Sequence, residues 1–162
     1  MLDLGTVKKF LSCDADAGIL RWKVAPCNRV QVGDSAGCLA ANGYVLIRLK
    51  NKLLKAHRVV WALHFGKWPK EDIDHINGNK SDNRLANLRE VDRSTNNENQ
   101  RGPGNANKTG FLGVYFNNQK QKYQAAIYVK GVKKHLGFFD APEEGHQAYL
   151  KAKRVLHAGN TL

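Results

Sequence analysis

At 162 residues, with a formal net charge of +12 and a pI near 9.8, the chain calls for a polyanionic partner. A hydrophobic content of 42% permits a core and excludes disorder throughout. No apolar run approaches the roughly 20 residues of a spanning helix, and the opening Met1-Leu2-Asp3-Leu4-Gly5-Thr6 lacks the basic and hydrophobic regions of a secretory signal. The expected setting is therefore the cytoplasm, without a membrane partner. Cys13, Cys27 and Cys38 are odd in number and widely spaced, so they read as reduced, unliganded thiols.

Thr6 to Leu11 predicts a short helix with Val7, Phe10 and Leu11 on one face. Asp14-Ala15-Asp16-Ala17-Gly18 opens like a calcium loop but lacks the remaining ligands and the closing Glu. A turn at Ala17-Gly18 into a strand from Ile19 to Lys23 is expected instead. Gly, Pro, Asn and Asp mark a loop from Ala25 to Gly37, with Arg29 a candidate DNA contact. Asn42-Gly43 precedes a strand from Tyr44 to Leu49, and Lys50-Asn51-Lys52 turns it back into Leu53 to Ala56. His57 to Phe65 is too apolar for an exposed face and predicts a buried helix ending at Gly66; His57 reads as a structural histidine at its start ahead of a phosphate contact, and His64 offers less for such a contact.

Ile73-Asp74-His75 then sets an acid beside an imidazole on a short strand. A polar loop from Asn77 to Asn83 leads to a second strand, Asn87 to Val91. Ser94 or Thr95, with Glu98 in capping-box position, predicts a helix that carries Asn96 in its first turn. This constellation suits phosphodiester hydrolysis. Such a reaction needs a base of near-neutral pKa, for which His75 qualifies, and a divalent cation to neutralise phosphate charge. The Asp74 carboxylate and Asn96 carbonyl are hard ligands suited to Mg²⁺ or Mn²⁺. Asn87 is placed to accept from one imidazole nitrogen, and Arg93 to hold a phosphate.

Asp74-His75, then Asn87, then Asn96, with the wording Asp74-His75-Ile76-Asn77-Gly78-Asn79 and Asn83-Arg84-Leu85-Ala86-Asn87-Leu88-Arg89, resembles the HNH nucleases. The likeness is to the phage- and intron-type homing endonucleases with a ββα-metal site. It implies Asp74 and Asn96 as ligands of one divalent ion, His75 as general base, Asn87 as its orienting partner and Arg93 as a phosphate contact. It also implies 5′-phosphate and 3′-hydroxyl products, and a phage or bacterial host cell as the setting.

Asn99 to Thr109 is rich in Gly and Asn and reads as a linker. Beyond it, strands are expected at Gly113 to Phe116, Tyr123 to Val129 and Lys133 to Phe139, separated by turns at Asn117 to Gln121 and at Gly131. Asp140 with Glu143 offers a capping box for a helix whose stripe is Gly145, Ala148, Tyr149, Ala152, Val155 and Leu156, with Gly159 ending it. Lys153 falls off or at the edge of that stripe. Three strands backed by one helix leave one sheet face open. Two-residue alternation puts Tyr115, Asn117, Gln124, Tyr128, Lys133 and His135 on it, groups able to meet phosphates and base edges. Gly113-Val114-Tyr115-Phe116, Lys122 to Val129 and Lys133 to Tyr149 resemble the AP-two (ethylene-response-factor) DNA-binding domain. The Arg and Trp with which plant members read bases are replaced here, so the resemblance implies a DNA-binding fold without a borrowed target sequence.

The expected architecture is α+β, in four parts. A β-rich region of short hairpins spans residues 1–56, an HNH core spans 57–100, a linker 101–108, and an AP-two-like module 109–162. The expected function is a metal-dependent, site-selective DNA endonuclease of the homing type that nicks duplex DNA as a monomer or homodimer. The competing readings are a non-cutting DNA-binding regulator and a nonspecific or structure-selective nuclease.

Overall fold

The Asp3 carboxylate accepts a hydrogen bond from the Thr6 amide at 2.8 Å, and this cap starts helix α1 (Leu4–Phe10) two residues earlier than apolar spacing predicts. Leu11, expected to close that helix, instead begins strand β1 (Leu11–Asp14), which pairs antiparallel with β2 (Ile19–Trp22). Gly18 makes the turn between them at φ +69°. The computed structural model describes residues 2–104, 106–157 and 159–160.

β3 (Cys38–Leu39), β4 (Val45–Leu49) and β5 (Lys52–Lys55) form an antiparallel sheet in that order. Lys50 and Asn51 both have positive φ, the two-residue turn whose twist suits a hairpin. Helix α2 (Ala56–Phe65) follows, with Val59, Val60 and Ala62 fully buried and Gly66 closing it in the left-handed conformation. Val59 and Val60 join Val7, Leu11, Leu20, Trp22, Ile47, Leu49, Ile73 and Leu88 in one core, which fixes the hairpin β6 (Asp72–His75) and β7 (Leu88–Val91). The expected second strand is shorter than predicted. Leu85–Asn87 is a 3-10 turn, so Asn87 precedes the strand instead of lying on it.

The chain divides into two units, Met1–Val91 and Asp92–Leu162. The second opens with helix α3 (Arg93–Glu98). Its cap is Asp92, not Ser94 or Thr95: the carboxylate accepts from the Thr95 amide at 3.0 Å and from its hydroxyl at 2.8 Å. A carboxylate cap makes a charge-assisted bond, stronger than that of a hydroxyl, and starts the helix at Arg93. Glu98 completes no capping box and accepts from the Gly159 amide at 3.1 Å.

β8 (Val114–Asn117), β9 (Lys122–Val129) and β10 (Val132–Phe139) form an antiparallel sheet in the order β10-β9-β8, backed by α4 (Pro142–Leu156). The expected Asp140 cap does not form. Asp140 pairs with Lys122 at 3.0 Å, and α4 starts at Ala141 without a side-chain cap. The buried stripe of α4 also differs from expectation. It is Gly145, Tyr149 and Lys153, spaced by four, while Val155 is 82% exposed. Lys153 is tolerated there because its ammonium donates to the Gln100 carbonyl. Gly113 sits so close to Tyr149 that an added Cβ would lie 2.0 Å from the ring.

The stretch read as a linker is tied down near its end. The Asn107 side-chain amide donates to the Phe111 and Val114 carbonyls at 2.9 and 3.1 Å. Asn105 lies outside the described residues, as do Ala158, Thr161 and Leu162 of the expected C-terminal module. No helix among the described residues is long and apolar enough to cross a membrane.

Candidate active site and polar sheet face

Strand alternation alone would turn one of Asp74 and His75 toward solvent. Both are nevertheless buried, at 7% and 4% exposure, because the loop after β6 folds back over the strand end. Asn87 ties that loop. Its Oδ1 accepts from the Asn77 amide at 2.9 Å, and its Nδ2 donates to the Asp82 carbonyl at 2.8 Å. Asp82 braces the same loop through Arg84, whose Nε and Nη2 donate at 2.8 and 2.7 Å, and through the Asn77 side-chain amide at 2.8 Å. These bonds hold the Asp82 carboxyl well below the ordinary carboxylate range, Arg84 contributing most.

The His75 imidazole meets Asn83, with Nε2 and Oδ1 3.2 Å apart. An amide oxygen can only accept, so this contact requires Nε2–H and makes Nδ1 the basic nitrogen of the ring. Motif spacing assigns the orienting bond to Asn87. Asn83 makes the contact at Nε2, and Asn87 positions the loop that carries Asn83. Burial pushes the His75 pKa down, against the Asn83 bond and the Asp74 and Asp82 charges, which raise it; Lys80 lowers it further. The ring is thus neutral at physiological pH, and two carboxylates favour it once it takes a proton.

Asp74 faces Arg89 across the β6–β7 pair. Both Nε and Nη2 of Arg89 donate to Asp74 Oδ2, at 2.9 and 2.8 Å. Behind His75 lies His57 of α2, with ring centroids 4.9 Å apart and planes at 86°. His57 is 3% exposed, and among the described residues its Nδ1 has no hydrogen-bond partner. Burial first, then His75, Lys55 and Arg58, push its pKa down to about 3. Arg89 was not legible in the sequence: a strand starting at Asn87 would set Leu88 opposite Asp74, and the 3-10 turn that delays β7 to Leu88 brings Arg89 there instead. Asn83 had no signal either, within a loop of several asparagines.

As for a metal, the described residues contain no group of three or more His, Cys, Asp or Glu able to hold one. A caged zinc or calcium ion would need such a set. Mg²⁺ or Mn²⁺ keeps several waters and takes one or two protein oxygens plus substrate phosphate, which the Asp74 carboxylate fits. Asn96 lies on α3 of the second unit, half-buried, and Arg93 is its exposed first residue.

In the second unit the expected sheet face assembles. Asn117 Nδ2 donates to Gln124 Oε1 at 3.3 Å, and Gln124 Nε2 lies 2.9 Å from His135 Nδ1. Lys133 Nζ stands 4.6 Å from the Tyr115 ring centroid, and Lys133 pairs in register with Tyr128. A side-chain hydrogen bond with Tyr115 raises the Lys133 pKa and keeps it charged. Tyr128 is 60% exposed. Arg29 is exposed in the loop after β2, in the first unit.

Three comparisons bear on this arrangement. The family described as HNH endonuclease matches residues 54–98. No curated protein is similar enough to register as a relative. A solved structure described as "DNA binding and cleavage by the HNH homing endonuclease I-HmuI" is similar at 24% identity over 89% of this chain and 86% of that chain, with a TM-score of 0.41. The matched family span contains α2, the β6–β7 hairpin and α3, which together carry every residue of the motif. Residues 54–98 are accordingly an HNH endonuclease domain, and the protein is an endonuclease.

Proposed function

We propose that the protein is a metal-dependent, site-selective endonuclease of the homing type that nicks duplex DNA. The observation that carries this reading is the buried Asp74-His75 pair, with a neutral imidazole held by Asn83, inside the HNH domain. His75 Nδ1 takes the proton of the attacking water, and Asp74 and Asp82 stabilise the resulting imidazolium. Asn87 keeps the loop closed, so Asn83 holds the ring in one tautomer through the reaction. Arg89 fixes the Asp74 carboxylate in orientation. Asp74 and Asn96 are the ligands for Mg²⁺ or Mn²⁺, Asn96 on the strength of motif spacing. The ion, when bound, neutralises charge growing on the phosphate and leaving oxygen. Arg93 is the further phosphate contact.

The second unit acts as the DNA-binding module, in the manner of an AP-two-like domain. Its three-stranded sheet on one helix and its row of Tyr, Asn, Gln, Lys and His support that role. The division of labour is four-part, with residues 1–56 as support, 57–100 as core, 101–108 as connector and 109–162 as the module that selects the duplex.

Incubation with supercoiled plasmid in Mg²⁺, in Mn²⁺ and in EDTA tests the reading. Relaxed circles that require the metal are expected. Linear product would replace nicking by paired cutting in a homodimer, a smear would replace selectivity by nonspecific cleavage, and tight binding without cutting would favour the regulator.

A further inference from the structure

The hairpin β4–β5 brings an unusual group to the edge of the active centre. Tyr44, just before β4, has its ring centroid 5.3 Å from that of His57 and 6.0 Å from that of the catalytic His75. Two ammonium groups gather on the same ring, Lys55 Nζ at 4.7 Å and Lys80 Nζ at 5.1 Å from its centroid. Lys55 comes from the end of β5 and Lys80 from the loop that covers His75, so two separate segments converge.

Both lysines are exposed, and among the described residues neither has a carboxylate within ion-pair distance. Lys80 makes one further contact, 3.4 Å to the Asn42 carbonyl. Asp74, whose charge acts on Tyr44 more strongly than that of Asp72, is already paired with Arg89. Two like charges on one tyrosine repel, and an exposed cation–π contact is worth only about 0.5–1 kcal/mol. The fold gains little from this gathering. An anion placed between the lysines would reverse the repulsion.

We propose that Tyr44, Lys55 and Lys80 form a second phosphate subsite of the active centre, holding a phosphate that flanks the scissile one on the strand being cut. Successive phosphates of a strand advance by about 3.4 Å along the helix axis. The Tyr44 ring centroid, 6.0 Å from that of His75, is therefore within about two such steps of the phosphate that His75 serves. Tyr44 sets the spacing of the two ammonium groups, which supply the charge. The subsite also gives the N-terminal hairpin a substrate contact beyond its part in the core. This inference rests on the duplex-DNA endonuclease reading.

The test measures binding of a short fluorescent duplex of arbitrary sequence across a series of salt concentrations, in the His75→Ala background so that nothing is cut. The variants are Lys55→Gln, Lys80→Gln, both together, and Lys52→Gln as a control at the far end of the hairpin. Removing one phosphate-binding lysine lowers the slope of log affinity against log salt by about 1, and removing both lowers it by about 2. The control leaves the slope unchanged, and Lys55→Arg with Lys80→Arg restores it. In the cutting-competent protein the double variant raises KM for plasmid, as expected when binding to a flanking phosphate is removed. An unchanged slope in the double variant overturns the subsite. So does an equal fall in slope in the Lys52 control. Wild-type protein that binds duplex but cuts no plasmid overturns the endonuclease reading alone, and the slopes still decide the subsite. Protein that binds no duplex overturns both.

Discussion

Asn83 and Asn87 show how much a single amide decides at this site. Asn83 fixes the tautomer of His75 by one contact, whereas Asn87 acts through the loop that delivers Asn83. Asn83→Ala is expected to lower the cleavage rate by roughly 10²-fold, because the base is no longer held in attacking geometry. Circular dichroism would remain that of the parent, and an undiminished rate would show that Asn83 does not orient the base. His57 yields a pH prediction. Its folded-state pKa is held at about 3 against an ordinary value near 6.5, so the unfolded chain binds more protons between those limits. The stability it contributes is complete above about pH 6.5 and falls away as pH drops toward 3. His57→Phe should flatten the decline of the urea midpoint between neutral pH and about pH 5, relative to the parent. It also removes the orphaned Nδ1, whose burial costs about 1–3 kcal/mol.

Among the elements, those set by long-range hydrophobic pattern were legible and those set by one polar contact were not. Helix α2 and strands β4, β9 and β10 fall within a residue or so of the expected spans, because each carries an apolar period the core must satisfy. β1 is invisible to pattern, since Leu11-Ser12-Cys13-Asp14 is too short to declare itself before it pairs with β2. The caps differ from expectation for a related reason. Several residues near a helix start can cap it, and Asp92 does so here through the Thr95 amide and hydroxyl, ahead of where Ser94 or Thr95 would cap it. Lys153 belongs at the edge of α4 by composition, yet it is buried because one carbonyl lies within its reach. Lys153→Met keeps the stem and removes the donor. Without that bond, stability in urea titrations should fall by about 1–3 kcal/mol, and no change would mean that the Gln100 carbonyl is satisfied otherwise. Gly18 joins two elements of the first unit. At φ +69°, an added Cβ would meet the Arg84 amide nitrogen at 2.3 Å and the Asn83 carbonyl carbon at 2.4 Å. Gly18→Ala should cost more than about 1 kcal/mol and slow cleavage as well, since the displaced backbone carries Asn83.

At the scale of the whole molecule, charge and chemistry are unevenly shared. Residues 1–91 carry 15 basic and 9 acidic groups, against 11 and 5 in the shorter residues 92–162, so the second unit is the denser in net positive charge. The α+β class and the HNH motif could be read from the sequence, because the motif is a set of residue types at fixed spacing. The tie between Asn107 and the Phe111 and Val114 carbonyls could not, because Gly- and Asn-rich composition describes a loop whether or not its amides find partners. In the proposed function, duplex choice belongs to the open sheet and chemistry to the HNH domain. Lys133→Ala with Tyr128→Ala should therefore weaken duplex binding and leave the rate at saturating DNA near that of the parent. A fall in that rate with binding unchanged would reverse the assignment.

The most direct test of the central claim compares parent and His75→Ala side by side for plasmid cleavage in Mg²⁺ and for duplex binding. Metal-dependent relaxed circles are expected from the parent, none from the variant, and the same affinity for duplex from both. Cleavage by His75→Ala at the parental rate would contradict the claim, because the buried imidazole would then not be the base.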